Sequence, residues 1–144
     1  MNKFTFLKLS VIYLLFILNQ AHGNWAQTSG PGGGEVQSLV ANGNNIFAGT
    51  RGGVYLSTNK GLSWTAVNTG LPFRSVYGTG VFALGVYDKN IMASTSNGLF
   101  LSSDNGTSWT SLGCSPAVIA LAMNGDNIFA GIMDMEYVFR LIRE

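Results

Sequence analysis

Ser57-Thr58-Asn59-Lys60-Gly61-Leu62-Ser63-Trp64 and Ser102-Ser103-Asp104-Asn105-Gly106-Thr107-Ser108-Trp109 are the two stretches whose reading decides the fold. Both fit S-x-[D/N]-x-G-x-S-W, and they stand 45 residues apart. Laying one copy over the other without gaps also pairs Val36 with Val81, Ile46 with Ile91, Gly53 with Gly98 and Tyr55 with Phe100. A fixed period carrying one turn motif per period is the signature of a repeat architecture.

Inside each period the apolar residues follow a strand pattern. Val36–Ala41 runs into Asn42-Gly43-Asn44-Asn45, then Ile46–Thr50, the turn Arg51-Gly52-Gly53, and Val54–Ser57. The octapeptide leads on to a fourth run, Ser63–Val67, and the second copy repeats the series as Val81–Val86, Ile91–Thr95, Leu99–Ser102 and Ser108–Leu112. Short β-branched or aromatic runs between Asn/Gly clusters predict hairpins. No stretch after Asn24 sustains a helical period over ten residues. Four antiparallel strands per unit, repeated, predict an all-β fold of β-propeller blades.

A third copy opens at Val118, where VIALAMNGDNIFA matches VQSLVANGNNIFA at Val36–Ala48. The step from Val81 to Val118 is 37 residues, because 16 residues separate Trp64 from Val81 and only 8 separate Trp109 from Val118. Variable loops on a constant blade are what repeat proteins tolerate. The expected blades are about 36–67, 81–112 and 118–142, with the long connection 68–80 as the main variable loop. Trp25 falls in register with Trp64 and Trp109, so Asn24–Thr28 is expected to be an orphan fourth strand. In the third copy Leu141 stands at the Ser position and Arg143 at the Asp position, so the blade is incomplete.

These octapeptides resemble the Asp-box, or bacterial neuraminidase repeat, found in the propellers of sialidases, sortilin-type receptors and xyloglucanases. The resemblance implies a hairpin turn between the third and fourth strands of a blade. Side-chain chemistry supports that independently. A short acid or amide accepts hydrogen bonds from backbone N–H groups a few residues on, and glycine two places later supplies positive φ. The Trp covers apolar surface between blades while its indole N–H needs a partner. Ser57, Asn59, Gly61 and Trp64, and Ser102, Asp104, Gly106 and Trp109, are therefore read as structural. For Asp104, a turn cap is the reading preferred over a catalytic acid or metal ligand.

The first 23 residues have the form of a signal peptide. Lys3 and Lys8 precede the apolar run Leu9–Leu18, which is too short to span a membrane, and Ala21-His22-Gly23 offers a cleavage site. The expected mature chain, 24–144, is secreted, extracellular or periplasmic, with no membrane association after cleavage. It lacks the sole histidine, His22, and carries six basic against seven acidic residues, a net charge of −1. Nothing there forms the basic patch that holds nucleic acid. Cys114 is the single cysteine, either a buried small apolar residue or an intermolecular thiol.

No catalytic, metal-binding or cofactor-binding residue is assigned. A glycosidase needs two opposed carboxylates, and Asp88 and Asp126 fall at hairpin-turn positions. The reading is an exported structural or binding module that meets a carbohydrate or protein through a loop face. Arg51, Phe73, Arg74 and Tyr77 are its candidate binding loop, although Phe73 and Tyr77 serve equally well to pack the linker. The alternative is part of a sialidase- or xyloglucanase-like hydrolase. The incomplete third blade leads to the expectation of a truncated longer propeller, and, as the other solution, of a homo-oligomer in which the orphan strand completes the ring.

Overall fold

Each inner hairpin forms because the sequence places a residue able to take positive φ where two β-prone runs must reverse. Gly43 (φ 61°), Asp88 (φ 55°) and Gly125 (φ 55°) hold that place in the three copies. The structure is a computed structural model and describes residues 26–72, 80–113, 118–125, 127–133 and 138–141. It contains three antiparallel sheets and, among the described residues, no helix.

The first blade comprises β1 (Val36–Asn42), β2 (Asn45–Thr50), β3 (Gly53–Ser57) and β4 (Thr65–Ala66), hydrogen-bonded in chain order. The second comprises β5 (Val81–Tyr87), β6 (Asn90–Thr95), β7 (Gly98–Ser102) and β8 (Thr110–Ser111), again in chain order. The third sheet has three strands, β9 (Val118–Asn124), β10 (Asn127–Ile132) and β11 (Val138–Leu141). In its ladder Val138 pairs with Gly131 as Val54 pairs with Gly49, which fixes the third copy's register. The all-β propeller-blade architecture is thus present.

Every inner strand carries a bulge at its second residue: Gln37, Phe82 and Ile119 have no cross-strand partner. The extra residue brings positions three apart onto one face. Val81 and Leu84 accordingly point together at the first blade. A second repeated device ties the β2–β3 and β6–β7 turns. The buried Thr50 hydroxyl donates to the Gly53 carbonyl at 2.9 Å and accepts from the Gly52 N–H at 3.1 Å. Thr95 does the same with Gly98 and Asn97. Ile132 stands at this position in the third blade.

The core lies in the seams between blades. Phe47, Val54, Leu71, Val81, Leu84, Ile91, Ala93, Phe100 and Trp109 form one buried cluster across the first two sheets. A Cβ added to Gly49 would stand 2.7 Å from Val81 Cγ1 and 3.3 Å from Leu84 Cγ, so only glycine lets β2 approach β5 this closely. The Leu84 N–H donates to Ser38 Oγ at 2.9 Å, and Ser94 Oγ–H donates to the Val118 carbonyl at 2.6 Å across the next seam. At the outer rim Trp109 donates its indole N–H to the Val67 carbonyl at 2.8 Å, and its backbone N–H to the Thr69 carbonyl at 2.9 Å. The Trp thereby closes both the apolar and the polar account of the seam.

One expectation meets a different outcome. Of the anticipated orphan strand Asn24–Thr28, residues 24 and 25 lie outside the described residues, and 26–28 carry no ladder pairing. In the repeat its partner is the third strand of a preceding blade, and no described sheet lies on that side. The stretch instead rests on the first octapeptide, with Ser29 Oγ–H donating to the Leu62 carbonyl at 2.9 Å.

Gly61 and Gly106 share the same φ of 85° but have different neighbours. A Cβ at Gly106 would meet Val67 Cγ2 at 3.1 Å and Phe47 Cε1 at 3.2 Å, whereas at Gly61 the nearest atom is Thr28 Cγ2 at 3.6 Å. Gly61→Ala should lose about 1–2 kcal/mol from the left-handed backbone alone. Gly106→Ala should lose roughly 1–3 kcal/mol more from overpacking the seam. Urea unfolding of the two variants checks the order.

Candidate functional site

Among the described residues, the octapeptides are dense clusters of side-chain hydrogen bonds. Ser57 Oγ accepts from the Gly61 N–H at 2.9 Å and donates to Asn59 Oδ1 at 3.0 Å. Asn59 Oδ1 also accepts from the Ser63 N–H at 2.9 Å, and Asn59 Nδ2 donates to Ser63 Oγ at 2.8 Å. Ser102 and Asp104 rebuild this one repeat on. Ser102 Oγ accepts from Gly106 N–H and donates to Asp104 Oδ1, each at 2.8 Å, and Asp104 Oδ1 accepts from the Ser108 N–H at 2.9 Å. Lys60 (φ 59°) and Asn105 (φ 56°) join the glycines in positive φ, which turns the N–H groups inward onto the serine oxygen. Both serines are buried and both turns are tied from within.

The two copies differ in the direction of one bond. Ser63 receives a hydrogen from the Asn59 amide, whereas Ser108 gives its hydrogen to Asp104 Oδ2 at 2.5 Å. Asp104 is solvent-exposed, yet its carboxyl is held at about 2, below the ordinary 3.8. The Ser108 hydroxyl contributes most, then the Ser108 N–H and the Ser102 hydroxyl, because all three bind the ionised form. A carboxylate held this far down and bonded through both oxygens is poorly matched to proton donation near neutral pH.

The two tryptophans part company in the same way. Trp109 is 4% exposed with its indole bonded to Val67, whereas Trp64 Nε1 is buried without a hydrogen-bond partner. Thr28 sits against Gly61 where Val67 sits against Gly106, and each lies three residues after a Trp. The N-terminal stretch thus takes the place of a preceding blade's outer strand without completing the bond to Trp64.

Arg51 lies at the opposite end of the first blade, in the β2–β3 turn. Its N–H donates to the Glu35 carbonyl at 3.3 Å, and the Gly52 N–H donates to the Gly33 carbonyl at 2.8 Å. The guanidinium pairs with the Glu35 carboxylate at 2.9 Å, both side chains being mostly exposed. The antiparallel strand order sends the chain out of β4 toward this same end. Phe73, Arg74 and Tyr77, the other members of the expected binding loop, lie outside the described residues, as does Cys114.

An open depression of about 670 Å³ sits at the octapeptide end of the first blade, lined by Ala41, Gly43, Asn44, Ile46, Thr58, Asn59 and Lys60. It is built from two turns 14 residues apart, Asn44 and Thr58, that meet only because alternate turns of an antiparallel sheet share one end. That alternation is the signal by which the sequence could have shown it. An aliphatic floor with amide, hydroxyl and ammonium groups can receive hydrogen-bonding ligands, but the lining holds no carboxylate or thiol. Among the described residues no three potential metal ligands come together, and no helix is long and apolar enough to cross a membrane.

The sequence matches the model of the DUF6242 beta propeller domain over residues 4–129, most of its length, and the chain belongs to that family. No curated protein matches it. Among solved structures, the crystal structure of the computationally designed Ika4 protein is similar, with a TM-score of 0.43 and 12% sequence identity, over 80% of this chain and 94% of that one.

The Asp104 carboxyl sets an acid limit on its turn. Its folded value of about 2 lies below the ordinary 3.8, so its stabilising effect is present above about pH 4 and is lost as pH falls through 2. Asp104→Asn copies the first turn, where Asn59 serves without a charge. The stability gap between wild type and Asp104→Asn, measured by urea unfolding, should therefore narrow between pH 4 and pH 2 and stay constant from pH 5 to 8.

Proposed function

From its membership in a propeller family, we propose that this chain is an exported β-propeller module whose octapeptides are Asp-boxes, and that it binds an acidic carbohydrate or protein partner at the Arg51 end of its blades. The leader features at Lys3, Lys8, Leu9–Leu18 and Ala21-His22-Gly23 support export.

The observation that carries the reading is the contrast between the two blade ends. At the octapeptide end Ser57, Asn59, Ser102 and Asp104 are bonded within their own turns. At the other end the Arg51-Gly52 turn is set by backbone bonds from Arg51 to Glu35 and from Gly52 to Gly33, while among the described residues the Arg51 charge meets an exposed ion pair with Glu35. Such a pair is worth little and can be exchanged for a ligand's carboxylate or sulfate. The connection 68–80, which varies in length between copies, leaves from this same end and brings Phe73, Arg74 and Tyr77 within the same stretch of chain. Two arginines with two aromatic rings form a chemistry that suits a sugar acid or an acidic protein surface.

Binding to an array of acidic and neutral glycans, together with a sialoside and xyloglucan hydrolysis assay, tests the proposal. Arg51→Ala and Arg74→Ala should each weaken binding about tenfold or more, and Asp104→Asn should leave it unchanged. Turnover of either substrate would point instead to part of a glycoside hydrolase.

A further inference from the structure

Leu39 is 61% exposed and Val36 42%, while their counterparts one repeat on, Leu84 and Val81, are 4% and 0% exposed. The residue types are the same and so is the bulge that aligns them. The neighbour differs: Val81 and Leu84 are covered by Gly49 and Ser38 of the preceding blade. Blade one therefore presents the filled half of a seam that no described blade covers.

The receiving half is also present, on the far side of the third sheet. Gly131 occupies the ladder place of Gly49, pairing with Ala120 as Gly49 pairs with Ser38. A Cβ at Gly131 would meet only Ala120 at 3.4 Å and 4.0 Å, with no residue from another blade. Phe129 stands where Phe47 stands and is only half-buried, against 0% exposure for Phe47. The strands complement one another as well. Thr28 already holds the outer-strand place beside Gly61, and the third sheet ends in β11, whose Val138 and Phe139 are exposed at 69% and 49%.

We propose that the third blade of a second copy of this chain covers Val36 and Leu39, with its β11 edge pairing along residues 26–28, and that the contact is reciprocal. The occupant is read from the seam the molecule already contains twice: Gly131 and Ala120 offer what Gly49 and Ser38 offer, and Val36 and Leu39 repeat Val81 and Leu84. Two copies joined in this way set each exposed half-seam of the described blades against its complement, a self-complementary arrangement. Ladder formation at 26–28 would also bring the Thr28 carbonyl to the place that Val67 fills for Trp109, and so supply Trp64 Nε1 with its acceptor. This assembly does not depend on what the Arg51 end binds.

Sedimentation equilibrium of the purified protein decides it. The expected result is twice the chain mass. Leu39→Asp puts an unpaired charge into the seam and should weaken association at least about 100-fold. It should leave the single chain's far-ultraviolet dichroism intact, because Leu39 is exposed there. Gly131→Ala, which has ordinary room within its own sheet, should weaken association about tenfold from the other side. A protein that stays monomeric at every concentration, or a dimer that both substitutions leave intact, overturns the proposal.

Discussion

The close approach of Gly49 to Val81 and Leu84 is the contact on which the rest of this structure depends. A twisted four-stranded sheet with one face unpaired cannot hide its own apolar residues, so each blade buries them only against the next. The seam sets the requirement for glycine at 49 and for the bulges that bring Val81 and Leu84 onto one face. It also fixes the position of Trp109 at the rim. Val36 and Leu39, which no described blade covers, are exposed.

The octapeptides serve this seam at one remove. Their serine, amide and carboxylate groups tie a hairpin whose tryptophan must reach the previous blade at one angle. Tyr55 and Leu56 pair with only two residues of β4, and β7 with only two of β8, so the outermost strands contribute little ladder of their own. The turn and the Trp hold the rim where the ladder is too short to do so. Asn can take the place of Asp in this turn because the backbone N–H contact from Ser63 or Ser108 is the same, while the hydroxyl on Ser63 or Ser108 reverses its bond and the stabilisation from the charge is confined to Asp104.

Local chemistry was the legible part. Positive-φ residues between β-prone runs announced the hairpins, and the 45-residue period announced the blades, because both depend on neighbours in sequence. The bulges at Gln37, Phe82 and Ile119 were not legible, since a strand's pairing partner decides which residue is extra. Nor was the divergence of Trp64 from Trp109, which have the same motif although only Trp109 has a carbonyl, that of Val67, within reach of its indole N–H. The N-terminal stretch was expected to form a strand and carries no ladder over 26–28, because a strand is a property of two segments and not of one. Of the candidate binding residues, the structure describes Arg51 and its pairing with Glu35. Phe73, Arg74 and Tyr77 enter the functional reading through sequence alone.

If blades are stable only through their seams, the first two must open together. Native-state hydrogen exchange in rising denaturant measures this directly at the ladder amides of β2 and β6 and at the Trp109 indole N–H. The account predicts that all three converge on one opening free energy, the global one. Exchange of the β2 amides through a separate, lower-energy opening that leaves β6 and Trp109 protected would show a self-sufficient second blade, and would contradict it.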